Sequence, residues 1–375
     1  MTANTDPYIE IRPYNDEEIP AALDRLIQDD EFITAILDHR FENKAKWFKT
    51  LMSPFLRIYL KAKWSKLDSV EAIQIEVKKY LQDTLNKTTD GVTFSGLDKL
   101  DKNTSYLFVS NHRDIAYDRF IPLYPALVNY GLYQSGHRTV RIAIGDNLLK
   151  KPCATELMRL NKSFIVKRSA KAPREMMKAL GQLSGYIKHS LDTGNSIWIA
   201  QKEGRAKDGN DFTDPAILKM FHVEGRKQKV AFGEYMRSLK IVPVSIAYEN
   251  DPCDIAKAKE LFEKAENGRY EKGEFEDIES IIQGIVGYKG RVHVAFGDVI
   301  EQEFETPESL ANEIDRQIHE NYKLYPINLL AAGREDSSII TEAVKRQLAD
   351  KLEQLPEGAR PYLVASYANP VNNQD

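Results

Sequence analysis

Residues 106–118 read Tyr-Leu-Phe-Val-Ser-Asn-His-Arg-Asp-Ile-Ala-Tyr-Asp. The run Tyr106-Leu107-Phe108-Val109 has the length and apolar character of a buried strand, and it stops abruptly at a polar cluster that begins with Ser110. Working outward, the same texture recurs. Short apolar runs fall at Val140 to Ile144, Phe164 to Val166, Ile197 to Ala200, Ile241 to Ala247 and Val292 to Phe296. Helix-length segments lie between them. From Pro173 to Leu191 the residues Met176, Leu180, Leu183, Ile187 and Leu191 recur at gaps of three and four. Further helices are expected over Asp214 to Leu239, Asp254 to Glu266 and Glu274 to Ile285. Alternating strands and helices predict an α/β fold, a sheet covered by helices.

The flanks differ. Ile19 to Phe41 and Val70 to Leu85 keep a period near 3.6 and predict an N-terminal helical region over 1–93, closed by turn signals between Gly91 and Asp98. The α/β region is expected over 94–305. A helical C-terminal extension follows over 306–375: Leu310, Ile314, Ile318 and Tyr322 share one helix face, Ile339 to Leu352 forms another helix, and the last twenty residues read as loose.

The chain has 375 residues, 52 basic and 56 acidic, for a formal charge of -4. That balance gives no case for nucleic acid as a partner. No stretch approaches the roughly 18 apolar residues of a spanning helix. Cys153 and Cys253 stand a hundred residues apart and read as buried, reduced thiols rather than a disulfide framework or zinc site. The polar, acidic start lacks the pattern of a signal peptide, so a cytoplasmic location is expected, with peripheral contact at the inner membrane face allowed.

Seven histidines are present, and no two are three or four apart, so no helical metal pair is expected. Phosphate-loop, dinucleotide and nucleophile-elbow motifs are absent. His112 stands apart because it follows a strand, and sheets of this kind gather ligands at strand carboxyl ends. A histidine there either caps the following turn or acts as a base oriented by a neighbouring carboxylate. Asp114 and Asp118 are the carboxylates at hand. From Arg138 to Arg174, ten Lys and Arg face only Asp146 and Glu156, a local +8. The run is either a solvated face or an anion site.

Residues 47–64, WFKTLMSPFLRIYLKAKW, interleave aromatic and aliphatic residues with Lys49, Arg57, Lys61 and Lys63. Such a helix suits a membrane interface, or it faces the core with cations at its rim. Pro54 is expected to break or kink it.

Four blocks in order resemble the glycerolipid acyltransferase superfamily, which includes the glycerol-3-phosphate and lysophosphatidic acid acyltransferases. They are Asn111-His112 with a following Asp; Lys162-Ser163-Phe164-Ile165-Val166-Lys167-Arg168; Ile197 to Arg205 with Glu203-Gly204-Arg205; and Ile241-Val242-Pro243-Val244-Ser245. They span about residues 94 to 300. The family places its Asp five residues after the His; here Tyr117 stands there and Asp118 is one further on. The favoured orienter is Asp118, with Asp114 the alternative.

The resemblance implies a central mixed sheet covered by helices. It also implies an O-acyltransferase in which His112 is general base, and the acceptor hydroxyl attacks an acyl thioester directly, with no acyl-enzyme. Arg168 and Arg205 are then the phosphate ligands, Glu203 and Gly204 belong to the same site, and Lys207 is a further candidate. Val242 and Pro243 are expected along the acyl channel, Pro243 at an edge or bulge. No cofactor or metal is implied. The co-substrate is acyl-CoA or acyl-carrier protein, and the acceptor a lysophospholipid. Glycerol-3-phosphate, a non-phosphate lysolipid, or a non-catalytic lipid-binding role are the alternatives.

Overall fold

A computed structural model of the chain describes residues 6–41, 44–113, 117–118, 121–149, 151–170, 172–270, 283–284, 286–334 and 338–375. Nine strands occur among them, in chain order: β1 Val92–Ser95, β2 Leu107–Ser110, β3 Tyr117–Asp118, β4 Ile121–Pro122, β5 Arg141–Gly145, β6 Ser163–Val166, β7 Ile197–Ala200, β8 Ile241–Tyr248 and β9 Val292–Phe296. The chain folds into two compact units, one of Met1–Tyr80 with Arg141–Tyr186, the other of Leu81–Val140 with Ile187–Asp375.

The larger unit is built on strands in the order β1-β9-β8-β2-β7. β1 runs parallel to β9, and β2 runs parallel to both β8 and β7, while β8 and β9 are antiparallel. This is the expected mixed sheet. Every residue of β2 and β8 is buried, as the unbroken apolar runs require of strands covered on both faces. The helix Leu123–Gln134 contributes nine buried residues to the same core.

The sequence reading missed β1. Its Gly91-Val92 pair reads as a boundary, and only pairing with β9 makes Val92–Ser95 a strand. The segment read as one helix from Asp214 to Leu239 is three short helices, Pro215–Phe221, Val223–Lys227 and Phe232–Ser238. Lys229, with φ +59°, separates the last two. The helix expected over Glu274 to Ile285 lies largely outside the described residues.

The C-terminal residues are not loose. Arg360–Asn372 is a helix that buries Leu363, Tyr367 and Val371, spaced four apart. Leu363 and Tyr367 join Tyr322, Tyr325, Ile327, Leu348 and Leu355 in a second core. Apolar residues on one stripe are enough to bind a helix to its unit, even in a segment with little charge pattern.

In the smaller unit β5 and β6 pair in parallel. Ile19 to Phe41 is two helices, Ile19–Gln28 and Asp30–Arg40, because Asp29 caps the second by accepting the Phe32 N–H at 2.8 Å. Lys46–Trp64 is one continuous helix through Pro54. The expected break does not occur. Thr50, whose carbonyl loses its partner at Pro54, is exposed, so water supplies the missing bond. This helix buries Leu56 and Leu60 but leaves Trp47, Leu51, Phe55, Ile58 and Tyr59 more than half exposed. Among the described residues no helix is long and apolar enough to cross a membrane.

Candidate active site

β2 delivers Asn111 and His112 at its carboxyl end, beside the carboxyl ends of its parallel neighbours β7 and β8. Asn111 is fully buried. Its amide accepts the Ile246 N–H at 2.8 Å and donates to the Ile246 carbonyl at 3.0 Å and to Asp211 at 3.1 Å. One side chain therefore ties the end of β2 to β8 and to the loop after β7. An Asn fits because it offers both a donor and an acceptor.

The loop after β7 is zipped to the same strand end. Gln201 N–H donates to the Ser110 carbonyl at 2.8 Å, and Ala206 N–H donates to the His112 carbonyl at 2.8 Å. Gly204 takes a left-handed φ of +76°, which only glycine adopts without strain, and so turns the chain back toward His112. The Gly204 carbonyl lies 3.4 Å from His112 Nδ1. The tautomer with its proton on Nδ1, facing that carbonyl, leaves the Nε2 lone pair as the proton acceptor. The edges of Tyr124 and Trp198 meet the imidazole at ring centroid distances of 5.7 and 6.1 Å. Trp198 is itself fixed by its Nε1–H, which donates to Ser110 Oγ at 2.9 Å.

Arg205 is unusual. Its side chain is 3% exposed, yet Nε and Nη1 are buried without a hydrogen-bond partner. Among the described residues the carboxylate beside it is Glu260, 3.9 Å away and outside hydrogen-bonding range. A buried guanidinium with two donors unmet among the described residues is costly, and such donors suit an anion. Lys207, by contrast, is ion-paired with Glu260. Glu203 is exposed.

Arg113, directly after His112, escaped the sequence reading. It forms an ion pair with Asp211, donates to Tyr322 Oη at 2.7 Å and to the Gly209 carbonyl at 3.1 Å, and stacks 4.5 Å above the Tyr322 ring. Burial works against its charge, but Asp211 and Tyr322 outweigh burial and raise the guanidinium's affinity for its proton. The clue available in sequence was weak: Asp211 sits in a polar Asp-Gly-Asn-Asp turn that reads as solvated.

Of the proposed orienters, Asp114 lies outside the described residues, and for Asp118 the structure describes only the backbone, in β3. Val242 and Pro243 are buried in β8, opposite Phe108 and Val109 of β2. Pro243 is thus in a central strand, not at an edge. Its carbonyl accepts from Gly297 at 2.8 Å, so its nitrogen faces the same side, just beyond the last β8–β9 pair, Val244–Phe296. The missing N–H falls where the ladder has already ended.

Arg168 belongs to the smaller unit, after β6. Its N–H donates to Asp146 at 3.0 Å, and its side chain passes over Gly145, where a Cβ would stand 3.1 Å from Cδ and Nε. Much of the basic run around it is paired: Lys151 with Glu31, Lys167 with Glu10 at 2.7 Å, and Arg159 donates to backbone carbonyls of Ile9 and Arg12. Acidic and carbonyl groups of the N-terminal segment therefore take up part of the charge. Lys150 and Lys171 lie outside the described residues. Cys153 and Cys253 are both buried and form no disulfide. Among the described residues no group of His, Cys, Asp and Glu is placed to hold a metal ion.

No curated protein matches the sequence. A solved structure, the 1-acyl-sn-glycerophosphate (LPA) acyltransferase PlsC from Thermotoga maritima, aligns with 66% of this chain and 78% of its own at 13% identity, with a TM-score of 0.39. The family model for Acyltransferase matches residues 91–249, the span that holds His112, Arg205 and Pro243.

Proposed function

We propose that the protein transfers a fatty acyl group from an acyl thioester to the hydroxyl of a phosphate-bearing lysolipid such as 1-acylglycerol-3-phosphate. His112 Nε2 takes the hydroxyl proton as the oxygen attacks the thioester carbonyl. The carbonyl carbon gains the oxygen and loses the thiolate, which leaves with a proton as free thiol. No acyl-enzyme intervenes. Arg205 holds the acceptor phosphate, Glu203 and Gly204 shape the turn beside it, and Val242 and Pro243 line the acyl channel.

The observation that carries this reading is the hydrogen-bonded union of the His112 strand end with the loop bearing a buried, unmet guanidinium. Two backbone hydrogen bonds hold the strand end that carries the base to the loop that carries the anion ligand, which supports direct transfer to a phosphorylated acceptor.

The donor is acyl-CoA or acyl-carrier protein. The acceptor is met at a membrane surface through the helix Lys46–Trp64. Its exposed Trp47, Leu51, Phe55 and Ile58 lie on one stripe, and it carries no acidic residue of its own; Lys49 and Arg57 pair with Asp38 and Asp30, which leaves Lys46, Lys61 and Lys63 as its cations for headgroups. Apolar insertion and attraction to anionic headgroups act together there.

The test is thiol release from an acyl-CoA in the presence of lysophosphatidate, glycerol-3-phosphate and a non-phosphate lysolipid. Lysophosphatidate is expected to give the fastest release, and His112→Ala to lower it by about 10²–10⁴ with the fold intact by circular dichroism. Release that is indifferent to His112, or absent with every acceptor, would overturn the proposal.

A further inference from the structure

We infer that Glu260 sets how tightly the Arg205–Lys207 site holds a phosphate, acting as a fixed counter-charge that weakens the hold. The inference rests on the reading of Arg205 as a phosphate ligand.

Glu260 stands on the helix Asp254–Asn267, outside the span that matches the acyltransferase family. It is 6% exposed, far below the usual exposure of a carboxylate. One oxygen takes Lys207 Nζ, and the other lies 3.9 Å from Arg205 Nη2. Two cations thus share one buried acid, and Arg205 still has two unmet nitrogens. A phosphate that met those nitrogens would sit within a few ångströms of the Glu260 carboxylate.

Two effects of removing the Glu260 charge oppose each other. Arg205 and Lys207 lose an orienting partner, which would weaken phosphate binding. The phosphate also escapes repulsion by a carboxylate, which would strengthen binding. The geometry decides the sign. At 3.9 Å Glu260 makes no hydrogen bond to Arg205, and a side chain only 3% exposed is held by its packing. Arg205 therefore stays in place when the charge goes. Lys207 loses the carboxylate and gains reach toward the phosphate. Repulsion between like charges a few ångströms apart, at an effective dielectric near 20, is several times RT. The charge effect wins, and phosphate binds more tightly without Glu260.

The chemistry gives a reason for such a counter-charge. Acceptor and product carry the same phosphate, so a hold on that group stabilises both alike and slows release without lowering the barrier. A built-in acid moderates a grip that gives no rate advantage.

The experiment measures the dissociation constant of inorganic phosphate for the full chain by calorimetry. Glu260→Gln is expected to bind about 10-fold tighter than the unmodified protein, and the double variant Glu260→Gln with Arg205→Met to lose that gain. Lys207→Met, which leaves Glu260 opposite Arg205 alone, is expected to bind about 10-fold more weakly and serves if the first variant does not fold. In turnover, Glu260→Gln is expected to lower KM for a phosphate-bearing acceptor and leave KM for a non-phosphate acceptor unchanged. Equal or weaker phosphate binding in Glu260→Gln overturns the inference, as does a gain that survives loss of Arg205. If transfer depends on His112 and Arg205 while phosphate affinity ignores Glu260, only the inference falls. If no acceptor is acylated, the functional reading falls, and the phosphate comparison still decides the role of Glu260.

Discussion

Replacing Asp211 by Asn is expected to cost about 3–5 kcal/mol of stability, read as a lower midpoint in urea. The carboxylate is 2% exposed and opposes a guanidinium that is 12% exposed, so its loss strands a buried charge. The same change removes a partner of Asn111 and so loosens the end of β2. His293 offers a second test. Its ring bonds Thr93 Oγ1 at 2.8 Å and Ser95 Oγ at 3.0 Å, and burial, with Lys323 adding to it, holds its pKa below the ordinary 6.5. The unfolded chain therefore takes up a proton first as pH falls. The stability His293 contributes is full above about pH 6.5 and is lost as pH falls through the lower, folded value. The urea midpoint is expected to drop between pH 7 and 5, and to drop less in His293→Gln. At this scale local pattern singled out His112, Arg168 and Arg205 as candidates. It concealed Asp211 and Glu260, whose roles come from partners 98 and about 55 residues distant in the chain, Arg113 and Arg205. No local spacing encodes such a meeting.

Elements were legible where their period is uninterrupted. Ile197–Ala200 and Val292–Phe296 fall where their apolar runs predict, and Pro173–Asp192 follows its three-and-four spacing to within a residue. The misreadings share one cause. β1 exists through its partner β9, the Asp214 to Leu239 stretch is divided by backbone turns, and Asp29 divides a helical period by capping within it. Each is a tertiary or backbone decision that hydrophobic period does not record. The helix Lys46–Trp64 carries the prediction at this scale. Leu51→Glu with Phe55→Glu is expected to abolish sedimentation with vesicles of anionic phospholipid while leaving thermal stability within about 0.5 kcal/mol, since both side chains are more than half exposed. Binding that survives the double change would end the membrane role of this face.

Across the whole molecule, the acyltransferase span ends at residue 249, yet its loop rests on much later residues. Asn369 Nδ2 donates to the Asp208 carbonyl at 2.6 Å, a Cβ at Gly209 would strike the Ser366 backbone, and Tyr322 carries Arg113. Deleting residues 356–375 removes the fully buried Ala359 and Leu363 along with Tyr367 and Val371, and strips cover from Tyr325 and Leu355. The truncated chain is expected to lose cooperative unfolding, with the transition in circular dichroism broadening or vanishing. That arrangement also orders events during synthesis. The histidine and the arginine leave the ribosome well before the helix Arg360–Asn372, which packs on their loop. A growing chain therefore carries the loop of Arg205 for a long stretch of synthesis without the helix it leans on, and that support arrives only when Arg360–Asn372 docks.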